Sequence, residues 1–204
     1  MLEHVPHWLG KALSGLRAGT DKLAIAQEGL GSFAAIDLRS PAFANGARLP
    51  ERFTADGAGA SPPLYWSGVP AEAVTLALLV EDADAPTPTP LVHAIVWGLP
   101  GRDGQLAEGA VVADGEGDAH GDVGRNSFLR EGWLPPDPPT GHGEHRYAFQ
   151  LFALAEVEEP GETPTRGEIV AAMRGRVLAA GLLTGTYSRG EPAGVGPVGS
   201  AAPA

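Results

Sequence analysis

The chain has 204 residues, 43% of them hydrophobic, enough for one domain with a full core and too short for two of ordinary size. Its formal charge of −11, from 14 basic and 25 acidic side chains, sets it against nucleic acid and anionic membrane surfaces as partners. Without cysteine it has no disulfide, thiolate metal site or cysteine nucleophile, and its 29 glycines and 19 prolines imply many turns and few long helices.

At the N-terminus Lys11, Arg17, Asp21 and Lys22 interrupt any apolar core, so no secretory leader is read there. No stretch reaches the roughly 18 apolar residues of a membrane span, so no membrane insertion is expected and the cytoplasm is the expected location. Residues 5–18 are predicted as an amphipathic helix, with Leu9, Leu13 and Leu16 on one stripe beside Trp8 and Ala12. Gly10 and Gly15 weaken it by roughly 1 kcal/mol each. The stripe is expected to pack on its own domain or across a homodimer.

A strand is predicted over 33–38, a turn at Asn45-Gly46, and a second short strand over 48–53. Residues 60–70, ASPPLYWSGVP, read as a rigid extended connection that offers Trp66 to the core. The hairpin that follows organises the chain. Residues 76–80 are a nearly unbroken apolar run, as in a strand buried on both faces. Glu81, Asp82 and Asp84 come next, and Pro86, Pro88 and Pro90 end the ladder. The chain returns as 91–99, apolar apart from His93, so carboxylates and one imidazole gather at the mouth of a buried hairpin.

Residues 101–144 form a long loop rich in glycine and proline. Within it Asp114, Glu116, Asp118, His120 and Asp122 alternate, but Ala119 and Arg125 break the calcium-loop pattern, which leaves a solvated acidic loop. The strand over 145–154 places His145, Tyr147, Phe149 and Leu151 on one face. Thr165 and Glu168 fit a capping box opening a helix through Ile169, Met173 and Val177, with Gly181 as its C′ residue. A last strand is predicted over 182–187, and disorder from Ser188 onward. The fold class is mainly β, a sandwich with a few peripheral helices. Its expected organisation is a helical extension over 1–30, a domain over 31–189 and a disordered tail over 190–204.

Several segments in order resemble one family. They are SPPLYWSGVP (61–70), EDADAP (81–86), the strand His93, GRNSF (124–128), PPTGHGEHRY (138–147) and LLTGTYSRG (182–190). On them the chain is identified as a member of the phosphatidylethanolamine-binding proteins, nearest the bacterial branch called Raf-kinase-inhibitor-like. The resemblance implies a β-sandwich with a small anion pocket that takes phosphate, acetate or a phosphoethanolamine head group. Carried over residue by residue, it implies ligand-binding roles for Asp82, Asp84, His93, Pro138, Pro139, Gly141, His145 and Tyr147. Two positions depart from the pattern. Ala83 replaces a proline, and Asp137 stands where relatives carry a small uncharged residue, so its charge would oppose an anion unless it points away.

The chemistry of the residues fits a phosphate site in part. His93, His145 and the Tyr147 hydroxyl can donate, and N–H groups of a Pro-Gly turn can form a nest. Asp82 would orient a histidine and raise its pKa, or stay protonated and share a proton with the anion. The expected partner is a small anionic or phosphorylated ligand bound without a cofactor, with any protein partner unspecified. Two alternatives stay open: a hydrolase using Asp82, His93 and His145 as an acid–base cluster, and a metal site on the same residues. The first lacks a nucleophile, since there is no G-x-S-x-G elbow and Ser61 and Ser127 have no identified base.

Overall fold

A computed structural model describes residues 13, 15–113, 121–156 and 160–189. Among them are nine strands: β1 (Ala34–Ala35), β2 (Asp37–Arg39), β3 (Leu64–Ser67), β4 (Thr75–Asp82), β5 (Leu91–Pro100), β6 (Gly104–Leu106), β7 (Asp122–Val123), β8 (His145–Leu154) and β9 (Val177–Tyr187). They form a six-stranded sheet in the order β1-β9-β8-β4-β5-β7 and a three-stranded sheet in the order β2-β3-β6. The helix α1 (Arg166–Met173) and short 3₁₀ turns complete the elements, giving the mainly β sandwich expected. None of the helices among the described residues is long and apolar enough to cross a membrane.

The central strands are apolar along most of their length because both faces are covered. Leu76, Leu78 and Val80 of β4 and Tyr147, Phe149 and Leu151 of β8 fill the core between the sheets, with Leu38, Leu64 and Trp66 from the smaller sheet. Ala77, Leu79, Phe152 and Leu154 point the other way, under Ile169, Val170 and Met173 of α1. The period of two read for β8 is the one observed.

Several boundaries differ from the sequence reading. The single strand over 33–38 is two, split at Ile36 where the chain changes sheets: β1 lies parallel to β9, and β2 antiparallel to β3. The strand expected over 48–53 is a lone bridge from Arg48 to Thr186 followed by a 3₁₀ turn at Glu51–Phe53, because Pro50 removes a ladder donor. The connection over 60–70 contains β3, and the loop over 101–144 contains β6 and β7.

The capping box at Thr165 is present, but α1 stops at Met173, and Gly175, with φ 66°, takes the left-handed position expected of Gly181. Val177 and Gly181 belong to β9. Gly181 is in that strand for closeness rather than for a turn, since a Cβ there would lie 2.9 Å from both Ile36 O and Leu38 Cβ. The chain is also ordered past the expected start of disorder: Ser188 and Arg189 are buried and bonded to Arg48 and Asp56.

Of the predicted N-terminal stripe, Leu9 and Trp8 lie outside the described residues, and Leu16 is 56% exposed. Residues 114–120 of the acidic loop and the tail over 190–204 also lie outside them.

Candidate functional site

The ends of three neighbouring strands build the site. Asp82 closes β4 opposite Leu91, which opens β5, and opposite Tyr147 near the start of β8. Between Val80 and Glu81 the β4–β5 register shifts by one residue, leaving His93 without a partner on β4. Such a bulge re-aims a side chain, and the His93 ring meets Tyr147 edge-on at 5.0 Å between centroids. A cavity of about 50 Å³ results, on the scale of a very small ligand. Asp82, His93, Pro138, Pro139, His145 and Tyr147 line it, together with Pro86, Phe128, Leu134, Pro135 and Asp137.

A chain of hydrogen bonds runs outward from Asp82. One of its oxygens accepts from the Asp84 N–H at 2.8 Å, and the other lies 2.7 Å from His145 Nδ1. His145 Nε2 is 2.7 Å from His142 Nδ1, and His142 Nε2 is 2.9 Å from the Leu13 carbonyl oxygen. A carbonyl can only accept, so His142 carries its proton on Nε2 and offers a lone pair at Nδ1. His145 must then donate from Nε2. That leaves one proton shared between His145 Nδ1 and the Asp82 carboxyl. Burial, and then the nearby His145, push the His142 pKa down, which agrees with a neutral ring. Both nitrogens of His145 are therefore engaged within the protein.

His93 and Tyr147 are left unsatisfied. His93 Nδ1 donates to Leu134 O at 2.6 Å, so its Nε2 carries the lone pair. Burial pushes the His93 pKa down and keeps the ring neutral. Burial, reinforced by Asp82, pushes the Tyr147 phenol well above its ordinary range and keeps it a donor. His93 Nε2 and the Tyr147 hydroxyl are both buried without a protein partner. The histidines read from sequence as donors are therefore, in this geometry, an acceptor (His93) and a saturated relay member (His145).

Asp137 lines the cavity, and Arg189 binds its carboxylate. Arg189 also holds Asp56 at 2.6 Å. Burial opposes the Arg189 charge, yet the two carboxylates outweigh it and raise its pKa. None of the described residues lining the cavity is lysine or arginine.

Asp84 and Gly141 are not brought to the cavity. Asp84 faces away and clamps the start of β8. It accepts from Arg146 N at 2.9 Å and from Arg146 Nε and Nη2 at 2.7 Å, and pairs with Arg17 at 2.7 Å. Gly141, with φ 81°, closes a turn in which the His142 N–H donates to Pro139 O, so that N–H serves the loop itself. Glu81 points to the other face of the sheet, where it accepts from Ala24 N and Gln150 Nε2 at 2.7 Å and pairs with Arg166.

Two features escaped the sequence reading. His142 lay inside the quoted PPTGHGEHRY segment without a role, and its position three residues before His145 was the available signal. Phe128 sits at the mouth of the cavity, 49% exposed, on a loop fixed by Asn126, whose side-chain oxygen accepts from the N–H groups of Phe128 and Arg130. Of the two serines considered as nucleophiles, Ser61 Oγ accepts from Val111 N and Ser127 Oγ from Val92 N. Among the described residues, no group of three or more His, Asp or Glu side chains is placed to hold a metal ion.

Comparison with known proteins gives a consistent picture. The model of the family described as phosphatidylethanolamine-binding protein matches residues 39–188. A UPF0098 protein of Methanothermobacter thermautotrophicus is 35% identical over 159 residues, 76% of this chain and 100% of its own length. The crystal structure of a phosphatidylethanolamine-binding protein homologue from Chlamydia trachomatis superposes with a TM-score of 0.69 at 36% identity, covering 76% of this chain and 98% of that one. Escherichia coli YbcL, described as a new member of the mammalian family of that name, gives 0.70 at 28% identity, covering 76% and 99%.

Proposed function

The chain belongs to the phosphatidylethanolamine-binding protein family, and on that footing we propose that it is a non-enzymatic binding protein whose cavity takes one small oxyanion. The observation that carries this reading is the pair of buried polar atoms without partners, the Tyr147 hydroxyl and His93 Nε2, in residues that both line the cavity. Buried polar groups are otherwise paired, and each exception calls for a partner. An oxyanion fits the Tyr147 O–H, and the small volume limits what enters to a group of few atoms. Any regulatory action on a partner protein would pass through the mouth, where Phe128 is half exposed.

A thermal melt tests the proposal. A ligand that binds only the folded state raises stability by RT ln(1 + [L]/Kd), about 2.7 kcal/mol at a hundredfold excess over Kd. Phosphate should raise the Tm of the parent protein and leave that of Tyr147→Phe nearly unchanged. If phosphate shifts neither melt, or shifts both alike, the cavity is not an oxyanion site. Turnover of a phosphoester panel that disappears in His145→Ala would favour the hydrolase alternative instead.

A further inference from the structure

We propose that the cavity selects an oxyanion that still carries a proton, a phosphate monoester or hydrogen phosphate, and discriminates against fully ionised sulfate and against phosphodiesters. The inference rests on the oxyanion reading above and deepens it.

The side chains at the wall leave few donors and acceptors free. The polar side chains lining the cavity are Asp82, His93, Asp137, His145 and Tyr147. Asp82 accepts from Asp84 N and shares a proton with His145, whose other nitrogen is held by His142. Asp137 is paired with Arg189. Pro86, Pro135, Pro138 and Pro139 contribute no backbone N–H. The side-chain groups without a protein partner are thus one hydroxyl on Tyr147 and one lone pair on His93 Nε2. A ligand that satisfies both has an oxygen that accepts from Tyr147 and a hydroxyl that donates to His93. A phosphate monoester monoanion has both. Sulfate has no hydroxyl near neutral pH, and a phosphodiester has none at any pH in that range. Such ligands leave His93 Nε2 buried and unpaired, or require the ring to take a proton. Burial opposes that protonation and outweighs the Asp82 carboxyl and the Leu134 hydrogen bond, which favour it.

Charge acts in the same direction. The ionisable groups facing His93 are Asp82 from β4, Tyr147 and His145 from β8, and Asp137 from the loop before Pro138, with Arg189 behind Asp137. Two carboxyl groups at a cavity without a cationic lining favour the ligand form of lower charge.

Isothermal titration of the full chain with methyl phosphate, sulfate and dimethyl phosphate at pH 6 and pH 8 tests the proposal. A site built to bond a ligand hydroxyl leaves its own polar group unpaired when the hydroxyl is missing, so methyl phosphate should bind at least about tenfold tighter than either control at pH 6. Its affinity should fall by about tenfold or more at pH 8, because its second ionisation lies near pH 6. His93→Gln, whose amide supplies donors as well as an acceptor, should narrow the preference over sulfate. If that variant does not fold, the parent comparison decides alone. Sulfate or dimethyl phosphate binding as tightly as methyl phosphate at pH 6 would overturn the proposal and leave the oxyanion reading intact. No binding of any of the three, or binding of methylammonium in their place, would overturn both.

Discussion

Replacing Asp84 with Asn tests whether this buried carboxylate is a clamp on the strand that carries His145 and Tyr147. Asp84 is fully buried and gathers hydrogen bonds from Arg146 and Arg17. Burial alone would raise its pKa, but those partners overcome it and hold the carboxyl at about 2, against an ordinary 3.8. At 1.36 kcal/mol per unit, the shift corresponds to about 2 kcal/mol of stability at neutral pH. This is less than the 3–5 kcal/mol typical of breaking a fully buried pair, as expected where the Arg146 side chain stays 47% exposed and can be hydrated. The sign follows from the direction of the shift: a carboxyl with a depressed folded pKa stabilises above its unfolded value and loses that contribution as pH falls toward the folded one. Urea unfolding of parent and Asp84→Asn should therefore differ by about 2 kcal/mol at pH 7 and by about half that at pH 3. Phosphate affinity, referred to folded protein, should be unchanged. Equal stabilities at pH 7, or a gap that does not narrow on acidification, would refute the clamp, and a loss of phosphate affinity would return Asp84 to the ligand.

Tyr147→Phe should leave the empty protein as stable as the parent or about 1 kcal/mol more so, because a buried hydroxyl without a partner is removed, while phosphate affinity falls; melts with and without phosphate report both. Glu81→Gln breaks the buried pair with Arg166 on the opposite face and should cost about 3 kcal/mol by urea unfolding, the low end for a buried pair because the Arg166 side chain is 23% exposed, without changing phosphate binding. Gly185→Ala drives a Cβ to 2.4 Å from Leu49 Cδ2 and should cost about 1–3 kcal/mol, read as a lower Tm. Because burial lowers the folded pKa of His93 and of His142, the unfolded chain takes up protons first as pH falls through about 6.5; stability should decline below that value, and less steeply in His142→Gln.

The hairpin and the β8 strand were legible because their signals are local and unbroken: the apolar run from Leu76 to Val80 and the alternation from His145 to Leu151. The capping box at Thr165 was legible for the same reason. What misled were positions where tertiary contact overrides local pattern. Gly181 looks like a helix stop after Met173, yet it is in a strand because Ile36 and Leu38 press against it. Ile36 lies between β1 and β2, and no pattern in FAAIDL tells that the chain changes sheets there. Leu64 and Trp66 alternate with Tyr65 as a strand should, but the prolines before them suggested a mere connection.

At the site, sequence gave the identities of the groups and not the directions of their hydrogen bonds. An inventory of side chains counts His93 and His145 as potential cationic donors and sets them against a net charge of −11. In the fold the Leu134 carbonyl takes the His93 Nδ1 proton, and the Leu13 carbonyl, through His142, fixes which way His145 donates. Two backbone oxygens, invisible to any motif, thus turn donors into one acceptor and one relay. The conflict between an acidic protein and an anionic ligand then changes form. The wall does not need to supply positive charge if the ligand brings its own proton: that proton lowers the ligand charge facing Asp82 and Asp137 and pairs with the His93 Nε2 lone pair, which has no protein partner.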